Sequence, residues 1–121
     1  MAFEYDPRTN KITCPRNNNG ALTVSVTGME LSAGDVVAFY VRDPARAVKL
    51  VELVETPVDG KVTFSLPSGV TELIPPGRYK WNLRIVTAPM FDEEGNLTIA
   101  EGSGNSMTIF NRPPEFEVLE V

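Results

Sequence analysis

The sequence predicts an all-β sandwich, and three observations carry that reading. Apolar residues recur with a period of two over several short stretches. Turn residues interrupt them about every eight to fifteen positions. Only one stretch breaks the period in a way that suits a single helical turn. With 121 residues, 42% of them hydrophobic, the chain is long enough to bury one core without staples.

Residues 1–20 read as a lead-in that ends in a short edge strand, Lys11 to Cys14, stopped by Pro15. Asn17-Asn18-Asn19-Gly20 is a turn, since these residue types tolerate positive φ. Ala21 to Thr27 alternates, with Leu22, Val24 and Val26 on one face and Thr23, Ser25 and Thr27 on the wet one. After a connector over 28–35, Val36 to Arg42 places Val37, Phe39 and Val41 on one face and Tyr40 on the other. Asp43-Pro44-Ala45-Arg46 is a turn. Val48 to Glu55 is a strand whose alternation slips at Leu50 and Val51, which predicts a bulge or burial on both faces.

Val58-Asp59-Gly60-Lys61 reads as a hairpin-type turn into Lys61 to Leu66, with Val62, Phe64 and Leu66 inward. Ser68 to Ile74 suits one helical turn, ended by Pro75-Pro76-Gly77. Gly77 to Ala88 is the longest strand, and Tyr79, Trp81, Leu83 and Ile85 share its core face. Asp92-Glu93-Glu94-Gly95-Asn96 is a hairpin tip. Leu97 to Glu101 and Asn105 to Phe110 return from it across a Gly102-Ser103-Gly104 break. Residues 111–121 form a tail in which Phe116, Val118 and Val121 are apolar. The whole is about seven strands with one short helical turn, the sandwich proper running over 21–110.

The run Leu73-Ile74-Pro75-Pro76-Gly77-Arg78-Tyr79-Lys80-Trp81 is the most specific feature. A helical turn crosses between sheets, Pro76 and Gly77 stop it, and Tyr79 enters a long strand. That is the corner of immunoglobulin-like sandwiches, where a tyrosine packs inward and returns its hydroxyl to nearby backbone. A buried backbone group left unpaired at such a corner costs about 1–3 kcal/mol. The predicted core is Phe39, Phe64, Trp81, Leu83 and Ile85.

Taken with Leu22-Thr23-Val24-Ser25-Val26, Val37-Ala38-Phe39-Tyr40-Val41-Arg42 and Asp59-Gly60-Lys61-Val62-Thr63-Phe64, this run resembles the immunoglobulin-like domain at the N-terminus of phage baseplate upper proteins and related tail or prophage proteins. The resemblance covers about Ala21 to Phe110. It implies a structural connector in the virion's adsorption apparatus, often oligomeric, with no catalytic residues. The expected location is the phage tail or baseplate, after synthesis in the bacterial cytoplasm. Met-Ala-Phe-Glu-Tyr-Asp has no apolar stretch behind it to make a signal peptide, and no apolar run approaches the roughly 20 residues that span a bilayer.

The remaining chemistry is sparse. The net charge is -5, from 11 basic and 16 acidic side chains, which argues against nucleic acid, since phosphates need a basic track. There is no histidine, so acid–base work falls to Asp, Glu, Lys, Tyr or Cys, and no catalytic set stands out. One cysteine, Cys14, makes no internal disulfide and reads as a small apolar residue. A zinc site has no ligand set here, and Asp92-Glu93-Glu94 lacks the ligand spacing of a calcium loop, so no metal or cofactor is expected. Two readings of partners remain. In the first, Met90 and Phe91 near a hairpin tip and Phe116 and Val118 in the tail contact other tail proteins or a second copy. The tail strand either closes the chain's own sheet or adds to a neighbour. In the second, Tyr40 and Arg84 present a face to surface carbohydrate, as in a ligand-binding module of a bacterial surface protein.

Overall fold

The computed structural model describes residues 3–26, 34–45, 48–99 and 104–120. Thr27, most of the connector over 28–35, Arg46 of its turn, Gly102-Ser103 of the break and Val121 of the tail lie outside the described residues. The protein is an all-β sandwich. In chain order the elements are β1 (Glu4–Asp6), β2 (Lys11–Pro15), β3 (Gly20–Ser25), β4 (Val36–Asp43), β5 (Val48–Glu55), β6 (Lys61–Leu66), α1 (Ser68–Thr71), β7 (Gly77–Val86), β8 (Ser106–Thr108) and β9 (Glu115–Leu119).

The large sheet runs β1-β2-β9-β7-β4-β5, with β8 beside β7, and the small sheet is β3-β6. β3 with β6, and β4 with β7 and β9, follow the immunoglobulin order in which B pairs E, and C, F and G share a sheet. β5 adds outside β4 as an extra strand, and β2 joins β9 in parallel. α1 carries the chain from β6 in the small sheet to β7 in the large one, as its sequence predicts.

The chain turns where its sequence allows. Asp59 (φ 53°) and Gly60 (φ 74°) supply the left-handed pair of a tight turn closed by Val58 and Lys61. Beyond it the two strands part into different sheets, so the turn serves as a crossover rather than a full hairpin. In the β4–β5 ladder Val41 faces Val51 while Arg42 faces Lys49, which leaves Leu50 as the extra residue of a bulge where its alternation slips.

The core has no disulfide; aromatic rings fill it instead. The Phe39 ring lies 5.5 Å from Trp81, 5.7 Å from Phe64 and 6.4 Å from Phe116. Trp81 stands two residues after Tyr79 on β7, the place of the second cysteine in antibody domains. Its indole N–H donates to the Asn10 carbonyl at 2.9 Å, so the polar end of the ring is satisfied. The Tyr79 hydroxyl donates to the Pro75 carbonyl at 2.6 Å, the bond the corner predicts. Leu83, Ile85 and Phe64 are buried in the same core.

Two expectations change at the chain ends. Residues 4–6 form a strand rather than a loose lead-in, and β1, not β2, is the outer strand at that side. β2 lies between β1 and β9 with Ile12 and Cys14 wholly buried. The tail contributes β9, which pairs β2 and β7, so Phe116 and Val118 belong to the domain's own core. The return from the hairpin shrinks to the three residues of β8, and Leu97 makes only an isolated bridge to Phe91.

Candidate functional site

Between the end of β7 and the start of β8 the chain makes a long excursion that carries Met90 and Phe91. Its base is closed twice: the Thr87 amide donates to the Asn105 carbonyl at 2.9 Å, and the Asn105 side-chain amide donates to the Thr87 carbonyl at 2.8 Å. Ala88, at φ 49°, turns the chain out of the strand. Further out, the Thr98 amide and hydroxyl both donate to the Met90 carbonyl, at 2.9 and 3.0 Å.

The tip is held by its own polar groups. The Asp92 carboxylate accepts the amides of Glu94 and Asn96, each at 2.9 Å, and the Asp92 amide donates to the Asn96 carbonyl. The Asn96 amide above all holds the Asp92 carboxyl below the usual carboxylate range. This carboxylate organises the loop. Among the described residues no three acidic or cysteine side chains gather as a metal site.

The excursion is also fastened to the sheet below it. The Arg84 guanidinium donates to the Ile99 carbonyl at 2.5 Å and to Glu52 Oε2 at 3.3 Å, and Lys49 meets the same carboxylate oxygen at 3.0 Å. Arg84 pairs across from Ala38, whose methyl leaves room for the guanidinium to pass over β4 toward β5. Arg84 is 2% exposed and Tyr40 5%. Lys49 and Arg42 stack on the Tyr40 ring at 5.0 and 5.6 Å. This corrects the expected carbohydrate face. Tyr40 and Arg84 are expected on an exposed face, yet both are buried, along with Val36, Ala38 and Asn82 of the same two strands. Their partners come from several places, Ile99 for Arg84, Phe110 for Asn82 and the Lys49 and Arg42 side chains for Tyr40, and none of these shows in a two-residue period.

Of the four expected contact residues, two are on the surface. Met90 is 64% exposed and Phe91 47%. Phe116 and Val118 are not, because β9 closes the domain's own sheet and turns them inward; that is the first of the two alternatives the tail allowed. Cys14 is buried, and burial pushes its thiol pKa up, away from the reactive thiolate.

A second apolar feature has no forerunner in the sequence reading. Near the end of β3 a groove of about 240 Å³ is lined by Val24, Ser25 and Val26 and by Met107 and Ile109. Val37, Leu83 and Ile85 form its floor, and no lining residue is charged. Met107 is 48% exposed and Ile109 41%. The signal lay in the alternate apolar residues Met107 and Ile109 at the end of the return strand, although β8 itself ends at Thr108.

No protein family, no curated protein and no solved structure matches this chain.

Proposed function

We propose that the protein is a non-catalytic structural or adaptor domain whose contact surface is the Met90–Phe91 tip. The observation that carries this reading is the pair of large apolar side chains held out on a hydrogen-bonded hairpin. A rigid tip loses little conformational freedom on docking, so most of the contact energy is retained. An exposed aromatic on such a platform is the kind of side chain that dominates protein interfaces. The rest of the molecule supplies the mount: Arg84 and Glu52 seat the excursion, and the aromatic core holds the sheet.

The particle in which this domain serves is a phage tail or baseplate, or a prophage remnant of one, which is the setting the sequence resemblance implies. Its partners are then neighbouring tail proteins and copies of itself. Density-gradient centrifugation of an induced lysogen or infected culture tests this reading. The protein is expected to co-sediment with tail particles, and Phe91→Glu to leave it in the soluble fraction with its fold intact. Wild-type protein found only in the soluble fraction would remove the virion role.

A further inference from the structure

The Met90–Phe91 pair and the groove lining carry no charged side chain, and we infer that they are the two halves of one contact: Phe91 of one copy inserts into the β3/β8 groove of a second copy. This rests on the reading of the tip as a contact surface and names its partner.

Size is the first argument. A cavity of about 150 Å³ is enough to take a benzene ring, and the groove offers about 240 Å³. That is below the roughly 300–1,000 Å³ of pockets that take drug-sized ligands. A single aromatic side chain is the occupant that fits. Phe91 carries such a ring and leaves it half in solvent, while Met107 and Ile109 are exposed on the same molecule, so among the described residues the groove is left open.

Charge is the second argument. Each copy carries a net charge of -5, so most approaches bring acid against acid. The groove lining and the Met90–Phe91 pair are free of charge, and they let two copies meet without desolvating an ion. The acidic residues that follow Phe91 then come to the groove rim. Lys61 stands there opposite Ser25, with Asp59 in the adjoining turn.

The contact is heterologous, because knob and hole are different surfaces. Every docked copy keeps one unused knob or hole, so assembly continues until a ring closes or a chain grows. That property gives the test. The intact protein is followed by light scattering on a sizing column over a range of concentrations, with Phe91→Glu as the knobless variant and Ile109→Glu as the variant with a blocked groove. Both positions are over 40% exposed, and near-ultraviolet dichroism of Trp81 checks each fold. Met107→Glu serves as the second groove variant.

The wild type is expected to assemble beyond a dimer. Each variant alone is expected to be monomeric, with association weakened roughly tenfold or more. An equimolar mixture of Phe91→Glu and Ile109→Glu is expected to form a 1:1 dimer and stop, since one variant keeps only the groove and the other only the knob. A wild-type monomer at all concentrations overturns the proposal and leaves the tip free to meet a different protein. So does an oligomer that Phe91→Glu dissolves and both groove variants leave intact, which would place the knob in another site. An oligomer indifferent to Phe91→Glu overturns both this proposal and the self-contact role of the tip.

Discussion

Tyr79 shows how much one hydroxyl does at a corner. Its bond to Pro75 satisfies a carbonyl at the point where the chain leaves α1 for β7. Tyr79→Phe keeps the ring and loses that bond, so it should cost about 1 kcal/mol. Urea unfolding would show a lower midpoint with an unchanged slope. Two phenylalanines separate core from surface more sharply. Phe116→Ala removes a wholly buried ring and should cost about 3–5 kcal/mol. Phe91→Ala should stay within about 0.5 kcal/mol, because Phe91 lies on the surface. Equal losses at the two sites would contradict the burial described. Under the excursion, Glu52→Gln leaves the Arg84 guanidinium buried with its carboxylate partner gone, at a cost of roughly 3 kcal/mol. The same variant should speed amide exchange over residues 88–99 before that of β4 or β7.

At the scale of elements, β9 decides how the chain end is understood. It lies between β2 and β7, so removing residues 113–121 takes a central strand out of the large sheet. That truncation should unfold the domain, read as loss of the β signal in far-ultraviolet dichroism, rather than release a folded monomer. The alternation of Phe116 and Val118 was legible as a strand, but alternation does not say whose sheet a strand joins. The same limit explains the lead-in. Glu4-Tyr5-Asp6 is polar and short, and it is a strand only because β2 offers it a partner. The bulge at Leu50, the crossover by α1 and the turn at Asp59-Gly60 were legible because each depends on local chemistry: a slipped period, a proline stop, a pair of residues that tolerate positive φ.

Over the whole molecule, the outer face of the large sheet is where local reading fails. β4 alternates as if half wet, yet its second face is buried, and the Arg84 guanidinium on the neighbouring strand reaches the Ile99 carbonyl of the excursion after β7. Nothing in a two-residue period foretells a partner contributed by an irregular segment later in the chain. The far side of the same sheet is bound by charge: Lys11 meets Glu115 at 3.0 Å and Glu117 at 2.9 Å across β2 and β9. Lys11 chiefly holds the Glu117 carboxyl below its usual range, and Glu117 chiefly raises the Lys11 ammonium above its own. The depressed carboxyl adds stability that is present above the ordinary glutamate pKa and lost as pH falls through its lowered value. The raised ammonium adds stability that is present below the ordinary lysine pKa and lost as pH rises through its raised value. A melting-temperature profile should therefore be flat through neutral pH and fall at both ends. Glu117→Gln should flatten part of the acid limb, and salt should shrink the difference between the two proteins.

In the proposed function the Met90–Phe91 tip is where this domain touches other protein. Site-specific cross-linking tests it most directly, with a photoreactive side chain at position 91 and, as control, at Thr63 on the exposed face of the small sheet. The cells that make the protein are irradiated and its adducts resolved by mass. Discrete protein adducts at position 91 and none at position 63 are the predicted result. Adducts absent at 91, or equally abundant at 63, would contradict the claim.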